Sequence, residues 1–453
     1  MKYPFTNALA WKMSAICMVT LLGPMSLSAS TVTIIDLGNF NTTGNPAKGS
    51  STAKFINNEG DVAGFSSLDL NTHHAFLYSS LTNTITDLGT FGGTNSDTTG
   101  LNATGMVSGT ADLSISGNDV PHAFLYQAGS TGGYQNGPLK DLGTLGGTNS
   151  GGGGLNDAGI VVGNSLVDQS NTHAMASVSP NDLGTLVGSY AEADYINNNG
   201  QIAGYSAAPG GSFAFYLPTI RPLVASDALT LGGNSSVAKG INASGQVIGV
   251  SNLVASSTVQ HGFIYTPGDA SPLDLGTLNP AFANGSSDAE AINSAGQVVG
   301  RSDLSVSQHH AYLSSLVGNS RVMTDLGTLN GGLGNSTADA INTWGDVVGT
   351  ATNSAGATVP FLYTNGQMID LNALIQAAGS DFTKLLTATG INDSGMIIGQ
   401  GKTSSGAVNA YVLTYSAVST PEPSTVACML LGLLFCSIGL IRKGKSNAHR
   451  RIS

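Results

Sequence analysis

Nine residues recur eight times along this chain of 453: an apolar residue, Asn, two variable residues, Gly, any residue, an apolar residue, a small or aliphatic residue and Gly. The first copy is Ile56-Asn57-Asn58-Glu59-Gly60-Asp61-Val62-Ala63-Gly64, and the others begin at Leu101, Leu155, Ile196, Ile241, Ile292, Ile341 and Ile391. Asn opening a type I turn can bond its own backbone two residues on. Gly at the fourth position accepts the positive φ that returns the chain to a ladder. Each copy therefore predicts a β-hairpin, and a fixed repeat predicts one continuous array with a shared core rather than several unrelated domains.

Two further elements recur between the hairpins. His-Ala-Phe-Leu-Tyr stands at His74–Tyr78 and His122–Tyr126, with looser versions at His173, Phe213, His261, His310, Pro360 and Ala410. Asp-Leu-Gly-Thr stands at Asp87, Asp141, Asp182, Asp274 and Asp325, with variants at Asp36, Leu229 and Asp370. From Ala338 onward one unit offers four short β-prone runs: Ala338–Ile341, Val347–Thr350, Pro360–Tyr363 and Gln367–Leu371. Four strands in a repeat of 41 to 54 residues fit a kelch-like β-propeller blade. The expectation is an all-β chain forming a closed propeller of about eight four-stranded blades, with seven blades or a β-solenoid as the alternatives.

The ends of the body favour closure. It begins with an Asp-Leu-Gly strand, Thr31–Gly38, that lacks preceding partners, and it ends with the aromatic strand Ala410–Leu413, which lacks a following Asp-Leu-Gly. Pairing the two completes the last blade and leaves only short, protected edges, whereas an open solenoid needs polar caps that the sequence does not show.

The termini carry an address. Lys2 and Lys12, an apolar run Met13–Leu22 and the small residues Ser26–Ser30 have the order of a secretory signal peptide, residues 1–30. After a body at 31–415 and a linker at 416–425, Val426–Ile441 is apolar or small throughout. At 1.5 Å per helical residue it spans about 24 Å, the short limit for a transmembrane helix. Arg442, Lys443, Lys445, Arg450 and Arg451 follow within a basic tail at 442–453, which places that tail on the cytoplasmic side.

Pro421-Glu422-Pro423, the apolar segment and the basic residues from Arg442 and Lys443 together resemble the PEP-CTERM sorting signal of Gram-negative bacteria. That resemblance implies an exosortase-type processing enzyme as a partner, a membrane-anchored precursor and a surface or extracellular product associated with exopolysaccharide and biofilm. Thr420 stands where Val is common in that family. The body, about Val32 to Tyr415, resembles the HAF-repeat family of bacterial extracellular proteins through the signatures at His74–Phe76 and His122–Phe124.

Charge and cysteine narrow the chemistry. Of 16 Lys and Arg, Lys2, Lys12 and five residues from Arg442 on lie at the ends, leaving nine in the body against all Asp and Glu but Glu422 of the 27. An acidic body disfavours nucleic acid and anionic surfaces and leaves cations or neutral sugars. Cys17, Cys428 and Cys436 all lie in the terminal apolar runs, so the body can hold no disulfide and no thiolate-bound metal.

Candidate chemistry meets ordinary explanations. Asp of Asp-Leu-Gly-Thr reads as a turn cap before a cation ligand. His73-His74 and His309-His310 look like metal pairs, but neighbours in a strand face opposite ways, so the in-phase His reads as an interstrand bond. Glu192, Asp194, Asp288 and Glu290 precede hairpins where other units carry Lys54, Lys239 or Asp339, which reads as a solvated face with nothing converging on one locus. Gly151–Gly154 reads as a flexible loop. Extra length around Leu113–Val120 and Gly129–Gly137 could carry an added site. With no catalytic, cofactor-binding or metal residue singled out, the expected role is non-enzymatic binding or structure in a polysaccharide matrix. The rival is a glycosidase or lyase on the same scaffold.

Overall fold

A computed structural model describes residues 31–41, 49–129, 139–179, 181–255 and 257–416. The proposed signal peptide, the linker from residue 417, the transmembrane segment and the sorting residues Pro421, Glu422, Pro423, Arg442 and Lys443 lie outside the described residues. Among the described residues no helix is long and apolar enough to cross a membrane.

The body is an eight-bladed β-propeller. Blade 1 runs Ser51–Ile56, Val62–Ser67, His73–Ser79, Thr84–Gly89, and each strand pairs antiparallel with the next in sequence. Six more sheets repeat that order, starting at Gly92–Leu101, Ser150–Leu155, Ala191–Ile196, Ser236–Ile241, Ser287–Ile292 and Ser336–Ile341. In blade 8 the innermost position is split between Phe382–Leu385 and Gly390–Ile391, followed by Met396–Thr403 and Val408–Ser416. Its outermost strand is the N-terminal Thr31–Asp36, so the ends of the body meet in one sheet as their sequences require. Leu37 N donates to Ala410 O at 3.0 Å, and Asn409 Nδ2 donates to both oxygens of Asp36 at 2.9 and 3.0 Å.

Each predicted hairpin is present. In the first, Gly60 N donates to Asn57 O at 3.1 Å with Gly60 at φ 86°, the left-handed turn expected of it. The Asn side chain does more than close its own turn. Its Oδ1 accepts N–H groups two and four residues on, as Asn242 does from Ser244 and Gln246, both at 3.0 Å. Its Nδ2 crosses to the next blade and donates to the carbonyl of that blade's Asn. The chain of donors runs Asn57, Asn102, Asn156, Asn197, Asn242, Asn293, Asn342, Asn392, and Asn392 returns to Asn57 O at 3.0 Å. This circle has no free end.

Blade-to-blade packing follows the aromatic signature. Phe76, Phe124, Met175, Phe215, Phe263, Tyr312, Phe361 and Tyr411 occupy the same third-strand position and are at most 3% exposed. Each contributes about 2 to 3 kcal/mol of apolar burial. Leu37, Ala53, Val62, Phe76, Ile398, Ala410 and Val412 form one cluster that joins blade 8 to blade 1. Buried serines pin the blades further: Ser96 Oγ donates to Gly89 O at 2.6 Å and accepts from Ala75 N at 2.9 Å.

Gly151–Gly154 is not a loop. It forms the innermost strand of blade 3, Ser150–Leu155. A Cβ on Gly152 would lie 2.3 Å from Gly109 O, and one on Gly153 would lie 2.4 Å from Ala193 O. The run of glycine is therefore the condition for blades 2, 3 and 4 to approach this closely, which a composition-based reading mistakes for flexibility. Leu113–Val120 likewise belongs to a long hairpin, Val107–Ile115 with Asn118–Tyr126, and residues 130–138 lie outside the described ones.

Candidate functional site

The innermost strands of successive blades pack side by side around the axis. Each of the first seven carries a register break just before its turn, between Ala53 and Phe55, Thr98 and Gly100, Gly152 and Leu155, Ala193 and Tyr195, Ala238 and Gly240, Ala289 and Ala291, and Ala338 and Ala340. A β-bulge leaves one residue unpaired and re-aims it. The bulged residues are Lys54, Thr99, Gly153, Asp194, Lys239, Glu290 and Asp339, with Thr389 at the matching place in blade 8. The last Gly of the nonapeptide makes room for the bulge: a Cβ on Gly249 would sit 2.1 Å from Val237 O.

These positions line a central channel, where a cavity of about 460 Å³ opens beside blades 1 to 5. Lys54, Phe55, Thr99, Glu192, Asp194 and Tyr195 contribute to its wall, and Gly152–Gly154 bring no side chains to fill it. Of the four acids that precede hairpins, Glu192 and Asp194 share this cavity wall, while Asp288 and Glu290 belong to blade 6 and are not part of it. Equivalence by repeat means dispersal along a solenoid but assembly around a ring.

The charges are partly paired. Lys54 Nζ is 2.7 Å from Asp97 Oδ2 and 5.2 Å from the centre of the Phe65 ring. Lys239 Nζ lies 3.6 Å from Glu290 Oε2, and Arg301 Nε donates to Asp288 Oδ2 at 2.8 Å. Tyr190 and Tyr205 both donate to Glu192 Oε2, at 2.7 and 3.2 Å, and burial first, then the hydrogen bonds with Tyr205 and Glu192, push the Tyr190 hydroxyl up. Burial, with the Glu192 charge second, raises the Asp194 carboxyl to about 7. Asp339 is also raised to about 7, by enclosure within the channel walls and then by Glu290, although the residue is exposed at its surface. The channel charge therefore changes around neutral pH.

The in-phase histidines are accounted for by the blades. His74, His122, His173, His261 and His310 each bond, through Nδ1, the Asp of the same blade's outer strand: Asp87, Asp141, Asp182, Asp274 and Asp325, at 2.8 to 3.0 Å. Each Asp also caps its turn, as Asp274 Oδ1 does for Gly276 N at 2.7 Å. Burial would raise Asp274 and Asp325, but the His bond and the Gly N–H outweigh it and hold both carboxyls below the usual range. Where His gives way to Phe213, the facing Asp position holds Ala228. In blade 7 the residue in the His register is Val359, not Pro360, because Ala351 pairs with Val359 as Ser66 pairs with His74. The neighbouring His73 packs edge-on against Phe65 at 5.3 Å, away from His74 and its Asp87. No group of three His, Cys, Asp or Glu among the described residues is placed to hold a metal ion.

The Tyr190–Glu192–Tyr205 contact was not anticipated from sequence; aligning the units on the bulge rather than on the turn would have put Glu192 opposite Tyr205. No family model matches this sequence, and no curated protein is similar to it. Among solved structures it is similar to TolB from Acinetobacter baumannii, with TM-score 0.32, 12% identity, and 62% of this chain and 64% of that one covered. It is similar as well to Porphyromonas gingivalis dipeptidyl peptidase 4, with TM-score 0.41, 11% identity and coverage of 77% and 57%. A gluconolactonase from Xanthomonas campestris gives TM-score 0.30, 7% identity and coverage of 86% and 99%. The chain spans about half to two-thirds of the length of the first structures it matches. None of these likenesses bears on the chemistry of the channel.

Proposed function

We propose that this chain is an exported, non-catalytic propeller of a Gram-negative cell surface that binds or braces extracellular polysaccharide. The non-catalytic half rests on one observation: the polar residues kept in phase through the repeats, Asn242, His261 and Asp274 in blade 5 for example, are consumed in holding the ring together. The address rests on the resemblance of Pro421-Glu422-Pro423, the apolar segment and the basic tail to a sorting signal, with an exosortase-type enzyme as processing partner and the membrane as a transient one. Intact mass of the surface or released fraction tests it, beside a chain carrying Pro421→Ala, Glu422→Ala and Pro423→Ala. A wild-type mass ending near Pro421, lost in the variant, is the expected result. A mass that retains Val426–Arg451 in both removes the support for a matrix role.

A second reading has its own observation. Glu192 and Asp194 line one cavity, with Asp194 raised to about 7, and a glycosidase or lyase works through a pair of acids placed together in one pocket. New reducing ends or unsaturated ends released from the host polysaccharide, and abolished by Asp194→Asn, would favour this reading over the first.

A further inference from the structure

One residue stands out on the face formed by the hairpin turns. The position two after each turn Asn holds Glu59, Thr104, Ala158, Asn199, Ser244, Ala295 and Ser394 in seven blades and Trp344 in the other. Trp344 is 76% exposed, yet it is fixed at both ends: its main-chain N–H donates to Asn342 Oδ1 at 3.0 Å and its indole Nε1 donates to Asp393 O of the next blade at 2.9 Å. An exposed apolar side chain alone is unremarkable on a surface. An indole whose only polar handle is spent on its own fold, and whose ring is thereby held out toward solvent, is a rigid apolar plate.

Planar polar groups flank that plate. Asp393 Oδ1 accepts from Thr343 N at 2.9 Å and Thr343 Oγ1 at 2.8 Å, and Asp393 Oδ2 accepts from Asn58 Nδ2 at 2.9 Å. Asn58 Oδ1 accepts in turn from Asp393 N at 3.1 Å. Burial would raise the Asp393 carboxyl, but the Thr343 and Asn58 bonds prevail and keep it below the usual range. The result is an aromatic face with an edge of fixed carboxylate, amide and hydroxyl groups, held by contacts between blade 7, blade 8 and blade 1.

From this arrangement we infer that Trp344 is the stacking platform of a binding site for a neutral sugar residue, with Asp393, Asn58 and Thr343 taking its hydroxyls. This rests on the polysaccharide reading above and names where and how the contact is made. The negative face of an indole attracts the weakly positive C–H face of a pyranose, and the hydroxyls round the sugar's rim meet the polar edge. A cation is a poorer fit, because a single ring is not a cage. A protein partner is a poorer fit too: one Trp offers about 200 Å², well short of the roughly 800 Å² per side of a stable interface. An acidic body disfavours an anionic sugar.

The chain has two tryptophans, Trp11 and Trp344, so a full chain carrying Trp11→Phe reports Trp344 alone by its fluorescence. It is titrated with maltohexaose, cellohexaose, mannohexaose and exopolysaccharide purified from the expressing host, and each variant's melting curve is recorded as a check on folding. The expected result is a saturable blue shift with at least one glycan, together with an affinity at least tenfold weaker for Trp344→Ala by affinity electrophoresis and partly restored in Trp344→Phe. Three outcomes overturn the inference: no emission change with any of the four glycans, undiminished retention of Trp344→Ala, or a response to choline chloride in place of glycan. Host exopolysaccharide that retains parent and Trp344→Ala equally sinks the Trp344 site and leaves the matrix function standing. No retention of the parent, with a mature mass that keeps the tail, sinks both.

Discussion

Asn242 and Lys239 stand three residues apart on one hairpin of blade 5, and the repeat treats them oppositely. Asn recurs at its position in all eight blades, whereas the position of Lys239 holds Lys, Thr, Gly, Asp or Glu. The structure supplies the reason. Asn242 is buried, accepts two N–H groups of its own turn and donates to Asn293 O at 3.1 Å, so every one of its polar atoms is committed. Lys239 is the extra residue of a bulge, half exposed in the channel, with a single loose ion pair. In a ring built from one unit, sameness marks what holds neighbours together, and variation marks surface that the fold leaves free for other uses.

That contrast can be broken at three places. The largest effect is expected at the end of the nonapeptide: Gly249→Ala drives a Cβ to 2.1 Å from Val237 O and should cost about 3 kcal/mol or prevent folding. An unchanged urea midpoint would mean that the bulge is not a fixed part of the frame. Next comes the pair itself. Asn242→Ala strands two N–H groups and the Asn293 carbonyl, an expected loss of about 2 kcal/mol in urea unfolding. Lys239→Ala, which gives up one part-exposed ion pair, should stay within about 0.5 kcal/mol. Equal losses would erase the distinction drawn here.

The smallest effect is in pH. Asp194 and Asp339 are raised to about 7, so between about pH 4 and 7 the folded state holds protons that the unfolded chain has released, and stability falls as pH rises through that window. Asp274 and Asp325 are lowered and act in the opposite sense: their contribution is present above the ordinary carboxylate range and is lost as pH falls below it. Thermal melts of an Asp194→Asn, Asp339→Asn double variant should lose the decline between pH 4 and 7 and keep the acid limb. Loss of both limbs would mean that channel and frame titrate as one.

Much of the frame was legible in the sequence because it repeats: Asn57 and Gly60 announce the turn, four short runs announce a blade, and Asp36 without partners announces closure. Reach across blades was not legible. Nothing local to Asn57 says that its Nδ2 will find Asn102 O, since that contact exists only once two turns lie side by side. The buried serines are hidden for the same reason, Ser96 being an ordinary polar residue until the strand before it presents Gly89 O. Gly151–Gly154 misleads because glycine serves both flexibility and close approach, and only the neighbouring backbone decides which. Glu192 and Asp194 were visible as residues but not as part of a wall shared with Lys54 and Thr99, since that wall depends on the array being circular.

Asp36 and Asn409, the hydrogen-bonded pair that seals blade 8, are 373 residues apart in the chain. A contact of that separation comes late in folding, because the chain entropy of closing so long a loop is lost before any packing rewards it. Seven blades can assemble while the polypeptide is still being delivered, each from neighbours close in sequence. The eighth waits, with Thr31–Asp36 an unclaimed edge strand until Val408–Ser416 arrives. Until then another chain's final strand can take its place, so crowding of nascent copies sets a clock: closure within one molecule must outpace exchange between two.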